Sequence, residues 1–207
     1  ANLKKRFKDG KMPVSFKEFA ESPYYLNQKG VLHAPVLEAC EELNNGEYVE
    51  AVLTGAIGTG KTTIALFSLA YQLYVLSRYV SPQREFGIAP SDEIMFVIQS
   101  INKQSAQNNY DRLREMINQS PYFKSEFPMK AGTTASMIFP NRLIVEPVSG
   151  AVSATIGRNV IGGLIDEINF MAKVTKSKMA SDGGEFDQAT ELYRSIKDRR
   201  KSRFMVQ

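Results

Sequence analysis

A glycine-rich turn followed by lysine and threonine is the stretch of this sequence whose residue types could do chemistry. It runs Gly55-Ala-Ile-Gly58-Thr-Gly60-Lys61-Thr62-Thr63. Glycines let the backbone curl so that several N–H groups point at one place, and the start of a helix adds the positive end of its dipole there. Lys61 can then reach the β- and γ-phosphates of a nucleotide, and the Thr62 hydroxyl can ligate Mg²⁺. The pattern indicates a phosphate-binding loop (P-loop), with these nucleotide contacts: Gly55, Gly58, Thr59, Gly60, Lys61, Thr62 and Thr63.

The alternative interpretation of this stretch is a flexible glycine turn followed by an ordinary surface lysine. A P-loop needs a strand before it and a helix after it. Apolar residues predict a short strand over residues 50–54, and helical periodicity predicts a long helix over residues 61–79. Because both flanking elements are predicted, the sequence favours a nucleoside-triphosphate site.

Two adjacent carboxylates form the second candidate group. Asp166 and Glu167 come directly after an apolar strand predicted over residues 160–165. In a P-loop enzyme the first acid, with Thr62, completes the Mg²⁺ site, and the second polarises the water that attacks the γ-phosphate. The alternative is that the pair only caps the turn that follows. With the P-loop present, the pair predicts an ATPase with Lys61 and Glu167 as catalytic residues.

A third candidate is Arg158, in a loop of small residues just before the same strand. The planar, permanently charged guanidinium suits the charge that spreads over γ-phosphate oxygens during hydrolysis. The arginine could act on the nucleotide of its own subunit or of a neighbouring one. Pairing with a surface acid is an equally good interpretation. A later charged helix offers rival arginines: Arg194, Arg199, Arg200 and Arg203.

The remaining periodicities supply the elements that must position these groups. They predict helices over residues 15–26, 34–43, 102–118 and 187–201, a buried strand over residues 93–99, a hairpin of strands at 137–139 and 143–147, and a strand beginning at residue 204. His33 and Cys40 are interpreted as structural, because the chain has no second histidine or cysteine to build a metal site with them. The alternation of strands and helices predicts a three-layer α/β fold of the P-loop NTPase (RecA-like, ASCE) type, with a mostly parallel central sheet. In such folds the nucleotide lies at the carboxyl edge of the strands.

Composition limits the class of protein. The 207 residues, 43% of them hydrophobic and 23% charged, suit one domain over residues 1–207 with a basic lead-in over residues 1–33. One cysteine excludes an internal disulfide, and no apolar run reaches membrane-spanning length, so we expect an intracellular protein without membrane association. The net charge of +4 permits a polyanionic partner such as DNA but does not demonstrate one.

From about Pro35 onward the sequence resembles the N-terminal ATPase domain of the large terminase subunit of tailed bacteriophages. Four features carry the resemblance, and the order and spacing of the last three are more specific than the P-loop itself. They are the loop from Thr54 to Thr62; the strand 94–100 with Asn102-Lys-Gln-Ser-Ala-Gln and, later, Ser120-Pro-Tyr-Phe; the hairpin with Phe139-Pro-Asn-Arg and Ile144-Val-Glu-Pro; and Thr155-Ile-Gly-Arg-Asn running into Leu164-Ile-Asp-Glu.

The resemblance implies a motor domain that hydrolyses ATP with Mg²⁺ to move double-stranded DNA into a prohead. It implies that Lys61 and Thr62 bind triphosphate and metal, that Asp166 completes the metal site, that Glu167 activates water, and that Arg158 matches an arginine the family has near this strand. The implied partners are double-stranded DNA, the portal protein, the small terminase subunit and further copies of the chain in a ring, in the cytoplasm of an infected bacterial host.

The sequence departs from the terminase pattern in two respects. The serine/threonine-rich coupling motif and the C-terminal nuclease domain of terminases have no counterpart in these 207 residues, so the sequence resembles a fragment. Asn27 and Gln28 are only candidates for the family's adenine-contacting glutamine. The first motor domain of a nucleic-acid helicase is the alternative, because Ser153-Ala154-Thr155 matches a helicase motif, although it precedes Asp166 rather than following it.

Overall fold

The computed structural model describes residues 3–131, 135–149, 157–171, 173–174 and 186–204. The helices are α1 (Phe16–Glu21), α2 (Ala34–Leu43), α3 (Lys61–Arg78), α4 (Pro82–Glu85), α5 (Lys103–Gln119), α6 (Pro121–Ser125) and α7 (Gln188–Arg203). The strands are β1 (Ile94–Ser100), β2 (Met137–Ile138), β3 (Leu143–Ser149), β4 (Val160–Ile165), β5 (Lys173–Val174) and β6 (Phe186–Asp187). Short 3₁₀ turns lie at Leu3–Arg6, Lys8–Gly10, Pro140–Arg142 and Ile168–Phe170.

A four-stranded sheet in the order β2-β3-β1-β4 forms the centre of the fold. β1 runs parallel to both β3 and β4, while β2 closes the predicted hairpin antiparallel to β3. All seven residues of β1 are buried. The continuous apolar run in the sequence predicted this, because it is typical of a strand covered on both faces. The predicted α/β class with a mostly parallel sheet is therefore confirmed.

Helices cover the two faces of the sheet, which gives three layers. Alternate residues of β1 point in opposite directions. Ile98 belongs to the large core that α3 and α5 share, whereas Val97 belongs to a smaller cluster against which Ile196 of α7 packs. The long helices α3 and α5 thus lie on one face and α7 lies on the other.

The direction of α3 follows from what comes after it. The side-chain amide of Gln83, in α4, donates to the carbonyl groups of Asp92 and Asn141. These two residues lie just before β1 and β3 begin, so the chain has reached the amino edge of the sheet by the end of α3. The first residue of α3, Lys61, therefore lies toward the carboxyl edge, where the strands end.

The strand predicted over residues 50–54 is not formed, and that prediction is wrong. No strand among the described residues pairs with this segment, and Val52 is 79% exposed. Side chains of α7 hold its start instead. The Tyr193 hydroxyl donates to Glu50 Oε1 at 2.7 Å, and Arg200 donates to the Val49 carbonyl at 2.9 Å. β-Propensity alone did not make a strand here, because a strand needs a neighbour for its backbone groups.

The other element predictions differ from the structure mainly at their ends. The first predicted helix is the shorter α1, and α5 begins one residue late because Asn102 caps it, accepting a hydrogen bond from the Ser105 N–H. Phe204 caps α7 and is buried, and the residues after it, over which the predicted final strand would run, lie outside the described residues. Among the helices that the structure describes, none has both the length and the apolar character that crossing a bilayer requires.

Two neighbouring glycines of β4 give a test of this sheet. A Cβ on Gly163 would overlap the backbone carbonyl oxygen of Val97, whereas a Cβ on Gly162 would meet the Phe96 ring at 3.7 Å, an ordinary contact. We expect Gly163→Ala to lower the free energy of unfolding by about 2 kcal/mol or more, because backbone in a paired strand cannot move aside. The matched control Gly162→Ala should change it by less than about 1 kcal/mol. Urea unfolding followed by circular dichroism measures both, and equal effects would contradict the close β1–β4 approach.

Candidate functional site

The glycine-rich turn is curled as a phosphate loop requires. Gly55, Gly58 and Gly60 all have positive φ, of 140°, 85° and 83°, a region that residues with a side chain rarely adopt. The Thr59 hydroxyl donates to the Ala56 carbonyl at 2.9 Å and closes the turn. Gly60 is the N-cap of α3, and a Cβ there would lie 3.1 Å from Val36 of α2. Backbone conformation and space therefore both favour glycine at this position.

Lys61 folds back over the turn that precedes it. Its ammonium donates to the carbonyls of Gly55 and Ala56, at 2.8 and 2.7 Å. Thr62 and Thr63 follow in the first turn of α3, and both are half-buried. The ammonium also donates to the Thr59 hydroxyl at 3.4 Å, so all three partners are neutral groups that phosphate oxygens can replace.

Asp166 is held firmly at the carboxyl end of β4. Its backbone N–H donates to the Gln99 carbonyl at 2.8 Å, which extends the β1–β4 pairing by one residue. Its Oδ1 accepts from the Glu167 N–H at 3.0 Å, and its Oδ2 accepts from the side-chain amide of Asn109 at 2.7 Å. Both carboxylate oxygens therefore have a donor, which fixes the plane of the carboxylate.

Glu167 lies next to it and is exposed. Its backbone is in the left-handed region, with φ 57°, as the chain turns sharply out of β4. The hydroxyl of Ser100, at the end of β1, donates to Glu167 Oε2 at 3.4 Å. The two acids therefore lie at the carboxyl edge of the sheet, the edge from which α3 starts. Within the described ranges, no hydrogen bond or ion pair joins Lys61 to either acid.

Arg158 lies at the opposite edge. Arg158 comes before β4 and Asp166 comes after it, and the six residues of this strand separate the two by about 20 Å. Its guanidinium donates to Glu146 at 2.7 Å and to the Met95 sulfur at 3.5 Å, so it has the carboxylate partner that the alternative interpretation anticipated. The structure does not bring Arg158 to the acids of its own subunit. Its action on a neighbouring subunit stays a prediction.

The rival arginines are on α7, on the other face of the sheet from α3. Arg194 pairs with Glu191 at 3.4 Å, Arg200 is bound to the Val49 carbonyl, and Arg203 is exposed. Arg199 is part of α7, but its side chain lies outside the described residues. The helicase-like Ser153-Ala154-Thr155 and most of the loop before Arg158 also lie outside them.

Sequence reasoning missed Asn109 and the residues at the end of β1. Asn109 interrupts the apolar stripe of α5 formed by Ala106, Leu113 and Ile117, all of them buried. A polar residue within such a stripe needs a hydrogen-bond partner, and this was the signal available in the sequence. The side chain of Gln99 is also buried, and its amide has no hydrogen-bond partner in the part of the chain that the structure describes.

A cavity of about 300 Å³ lies between α3 and α5, beside the first turns of α3. Leu66, Phe67 and Met116 give it apolar walls, and Gln28, Thr63, Arg112 and Gln119 are among its polar lining residues. Of the two candidates for a base contact, Gln28 lines this cavity, whereas Asn27 does not.

Comparison with known proteins supports the P-loop interpretation. A family model described as "Uncharacterized protein MJ0330, N-terminal P-loop domain" matches residues 2–207. A search of curated proteins finds no match. The family match extends over the glycine-rich turn and both acids, and its description does not mention phage terminases or helicases.

Cys40 packs behind the phosphate loop. It is completely buried in α2, with its sulfur 4.0 Å from the carbonyl of Ile64 in the first turn of α3. Burial disfavours the thiolate and raises the pKa of this thiol to about 12. His33 is the N-cap of the same helix. The burial of Cys40 agrees with the structural role expected for it, whereas His33 is exposed, its side chain does not cap the helix, and its role stays a prediction.

The thiol gives a test of how α2 packs on the start of α3. Because a thiol must ionise to be alkylated, we expect iodoacetamide at pH 8 to leave Cys40 unmodified in the folded protein and to modify it fully in urea. Mass spectrometry counts the added groups. Because Cys40 is the only cysteine in the sequence, any added group is on this residue. Rapid alkylation without denaturant would contradict the buried position.

Proposed function

The chain belongs to the family of the N-terminal P-loop domain of the uncharacterized protein MJ0330, and on this premise we propose that it binds ATP with Mg²⁺ and hydrolyses its terminal phosphate. One observation carries the proposal. The curled loop at the start of α3 and the paired acids at the end of β4 lie at the same edge of a parallel sheet, although about a hundred residues separate them in sequence. This edge is where α/β folds of this kind bind their ligands.

The phosphates would be bound by the loop and the first turn of α3. Backbone N–H groups and the helix dipole favour negative charge at this position, and Lys61 would exchange its two carbonyl partners for β- and γ-phosphate oxygens. The Thr62 hydroxyl and the Asp166 carboxylate are oxygen ligands of the kind that Mg²⁺ prefers. Among the described residues each Asp166 oxygen has one donor, which leaves it a lone pair, so the residues fit the ion. When bound, Mg²⁺ neutralises charge on the β- and γ-phosphates.

Glu167 is the proposed general base. Its exposed carboxylate would take a proton from a water molecule while the water oxygen bonds to the γ-phosphorus. The bond from the γ-phosphorus to the bridging oxygen breaks, and ADP leaves with the electron pair. A domain that only binds nucleotide has no need of such a base, and this consideration favours an ATPase over a regulatory nucleotide-binding module.

The nucleobase would occupy the cavity between α3 and α5. Its apolar walls can pack against a flat ring, and the Gln28 amide can both donate and accept at a base edge. Thr63, one residue beyond the proposed metal ligand, links this cavity to the phosphate loop.

The finer proposal is a terminase-type motor that translocates double-stranded DNA in the cytoplasm of an infected bacterium, assembled as a ring with a portal protein and a small subunit. It is supported by the order and spacing of the sequence features after the P-loop. Arg158 would serve the ring by reaching the nucleotide of a neighbouring subunit. The helicase alternative predicts strand separation instead, so an unwinding assay on a duplex with a single-stranded tail distinguishes the two.

Two substitutions test hydrolysis. We expect Lys61→Ala to lower kcat by about 100-fold or more, because a cation at the transferred phosphate is lost. Glu167→Gln should lower it by a similar factor while ATP still binds, because only the base is lost. Phosphate release measures turnover, and a fluorescent ATP analogue measures binding. The control Lys17→Ala, an exposed lysine of α1, should be unaffected. Undiminished turnover in Lys61→Ala would refute the site.

Mixed assemblies test whether Arg158 acts between subunits. Arg158→Ala and Lys61→Ala should each be inactive alone, and mixing them should restore part of the turnover, because a mixed pair contains one complete interface. The control is Arg142→Ala, since Arg142 and Arg158 both line a second, smaller cavity at the amino edge of the sheet, and Arg142 also pairs with a carboxylate, Glu93, at 3.5 Å. It should keep wild-type turnover. Full activity of Arg158→Ala alone would end the hypothesis.

A further inference from the structure

The side-chain amide of Asn109 is the only side-chain donor that reaches Asp166 among the described residues. We propose that Asn109 is a positioning residue that orients the Asp166 carboxylate for Mg²⁺. The inference rests on the proposed function and concerns the same site. It assigns a role in metal affinity to a residue of α5, an element that contributes neither the P-loop nor the acids.

The surroundings of Asn109 show why an amide at this position needs an explanation. The residue is 7% exposed, and its neighbours on the buried side of α5 are Ala106, Tyr110 and Leu113. Placing an amide in such a stripe costs free energy unless it is hydrogen bonded. A leucine of similar size would pack there without that cost. The bond to Asp166, at 2.7 Å and to a carboxylate, is of the stronger, charge-assisted kind and offsets the cost.

The geometry of the carboxylate shows what the bond does. Asp166 Oδ1 accepts from the Glu167 N–H, and Oδ2 accepts from Asn109, so the two donors approach from the turn and from the helix. One donor alone would leave the carboxylate free to rotate about its Cβ–Cγ bond. Two donors on different oxygens hold its plane, and a lone pair on each oxygen stays available to the metal or its water.

The chemical type of the donor also matters. A lysine or arginine donor would place a positive charge beside the metal. Asparagine orients the acid without charge, so the full negative charge of Asp166 remains for Mg²⁺. Partners of this kind around metal ligands influence metal affinity strongly, and their removal typically costs about 10–100-fold.

The competing account is that Asn109 and Asp166 merely satisfy each other in the folded chain. The two accounts differ in what removal changes: a packing role affects stability, whereas a positioning role affects Mg²⁺ dependence. The test therefore measures binding of the fluorescent analogue mant-ATP as a function of MgCl₂ concentration, with thermal unfolding followed in parallel.

The main variant is Asn109→Leu, which keeps the branched shape of the side chain and removes the donor. We expect its MgCl₂ concentration for half-maximal mant-ATP binding to rise about 10-fold, with metal-free affinity unchanged. The control is Asn108→Leu, the same change at the neighbouring residue, whose exposed side chain accepts a hydrogen bond from Gln104. It should keep the wild-type value. A wild-type value for Asn109→Leu as well would overturn the proposal.

A second variant, Asn109→Ala, removes the same donor but leaves a smaller side chain. If the MgCl₂ concentration for half-maximal mant-ATP binding rises similarly in both variants, the lost hydrogen bond is the cause. If it rises only in the variant that unfolds at the lower temperature, packing is the cause and the proposal is overturned. Asn109→Ala carries the test alone if Asn109→Leu does not fold.

The outcomes separate this inference from the proposed function. If the wild-type protein binds mant-ATP and Lys61→Ala does not, while Asn109→Leu titrates as wild type, only the inference falls. If the wild-type protein binds no mant-ATP at any MgCl₂ concentration, the proposed function falls and the inference with it.

Discussion

The parallel pairing of β1 with β4 is the constraint on which the candidate site depends. The ladder continues past the last residue of β4, because the Asp166 N–H donates to the Gln99 carbonyl. This bond fixes the position of the acids at the carboxyl edge of the sheet. Gly163 permits the close approach, because any side chain would meet the Val97 carbonyl. Since α3 runs back toward the amino edge, its first residues share the edge of the acids. Without this pairing, the lysine of the loop and the two carboxylates would have no common location.

The half-buried Asp166 and the exposed Glu167 at this edge differ in how many hydrogen bonds hold them. Asp166 has a donor on each oxygen, whereas the exposed Glu167 has one long contact from Ser100. The difference agrees with the two tasks proposed for the acids. A metal ligand benefits from a fixed orientation, while a base must be free to meet a water molecule. The buried amide of Gln99, which has no hydrogen-bond partner within the described ranges, is in the same ladder.

The sequence was informative wherever a signal was local. The glycines predicted the curled loop, a continuous apolar run predicted β1, and an apolar strand followed by two acids predicted where Asp166 would lie. The segment 50–54 shows the limit, since strand propensity cannot reveal that no neighbour is present. Asn109 could not be assigned because its partner is 57 residues away, and periodicity does not give the rotation of α5 against the sheet. Arg158 is close to Asp166 in sequence, which suggested the same site. The strand β4 runs between them, however, so the two residues lie at opposite edges of the sheet.

The segment before the loop has a mechanical consequence. A backbone ladder is stiff because each residue is bonded in turn, whereas residues 49 and 50 are bonded to the side chains of Arg200 and Tyr193 of α7. The stem of the loop is thus a compliant link rather than a rigid rod. This link joins Gly55 to Tyr193 and Arg200, on the helix at the far face of the sheet. A short unpaired segment and two hydrogen bonds therefore connect the phosphate loop to α7, in addition to the packing through the core.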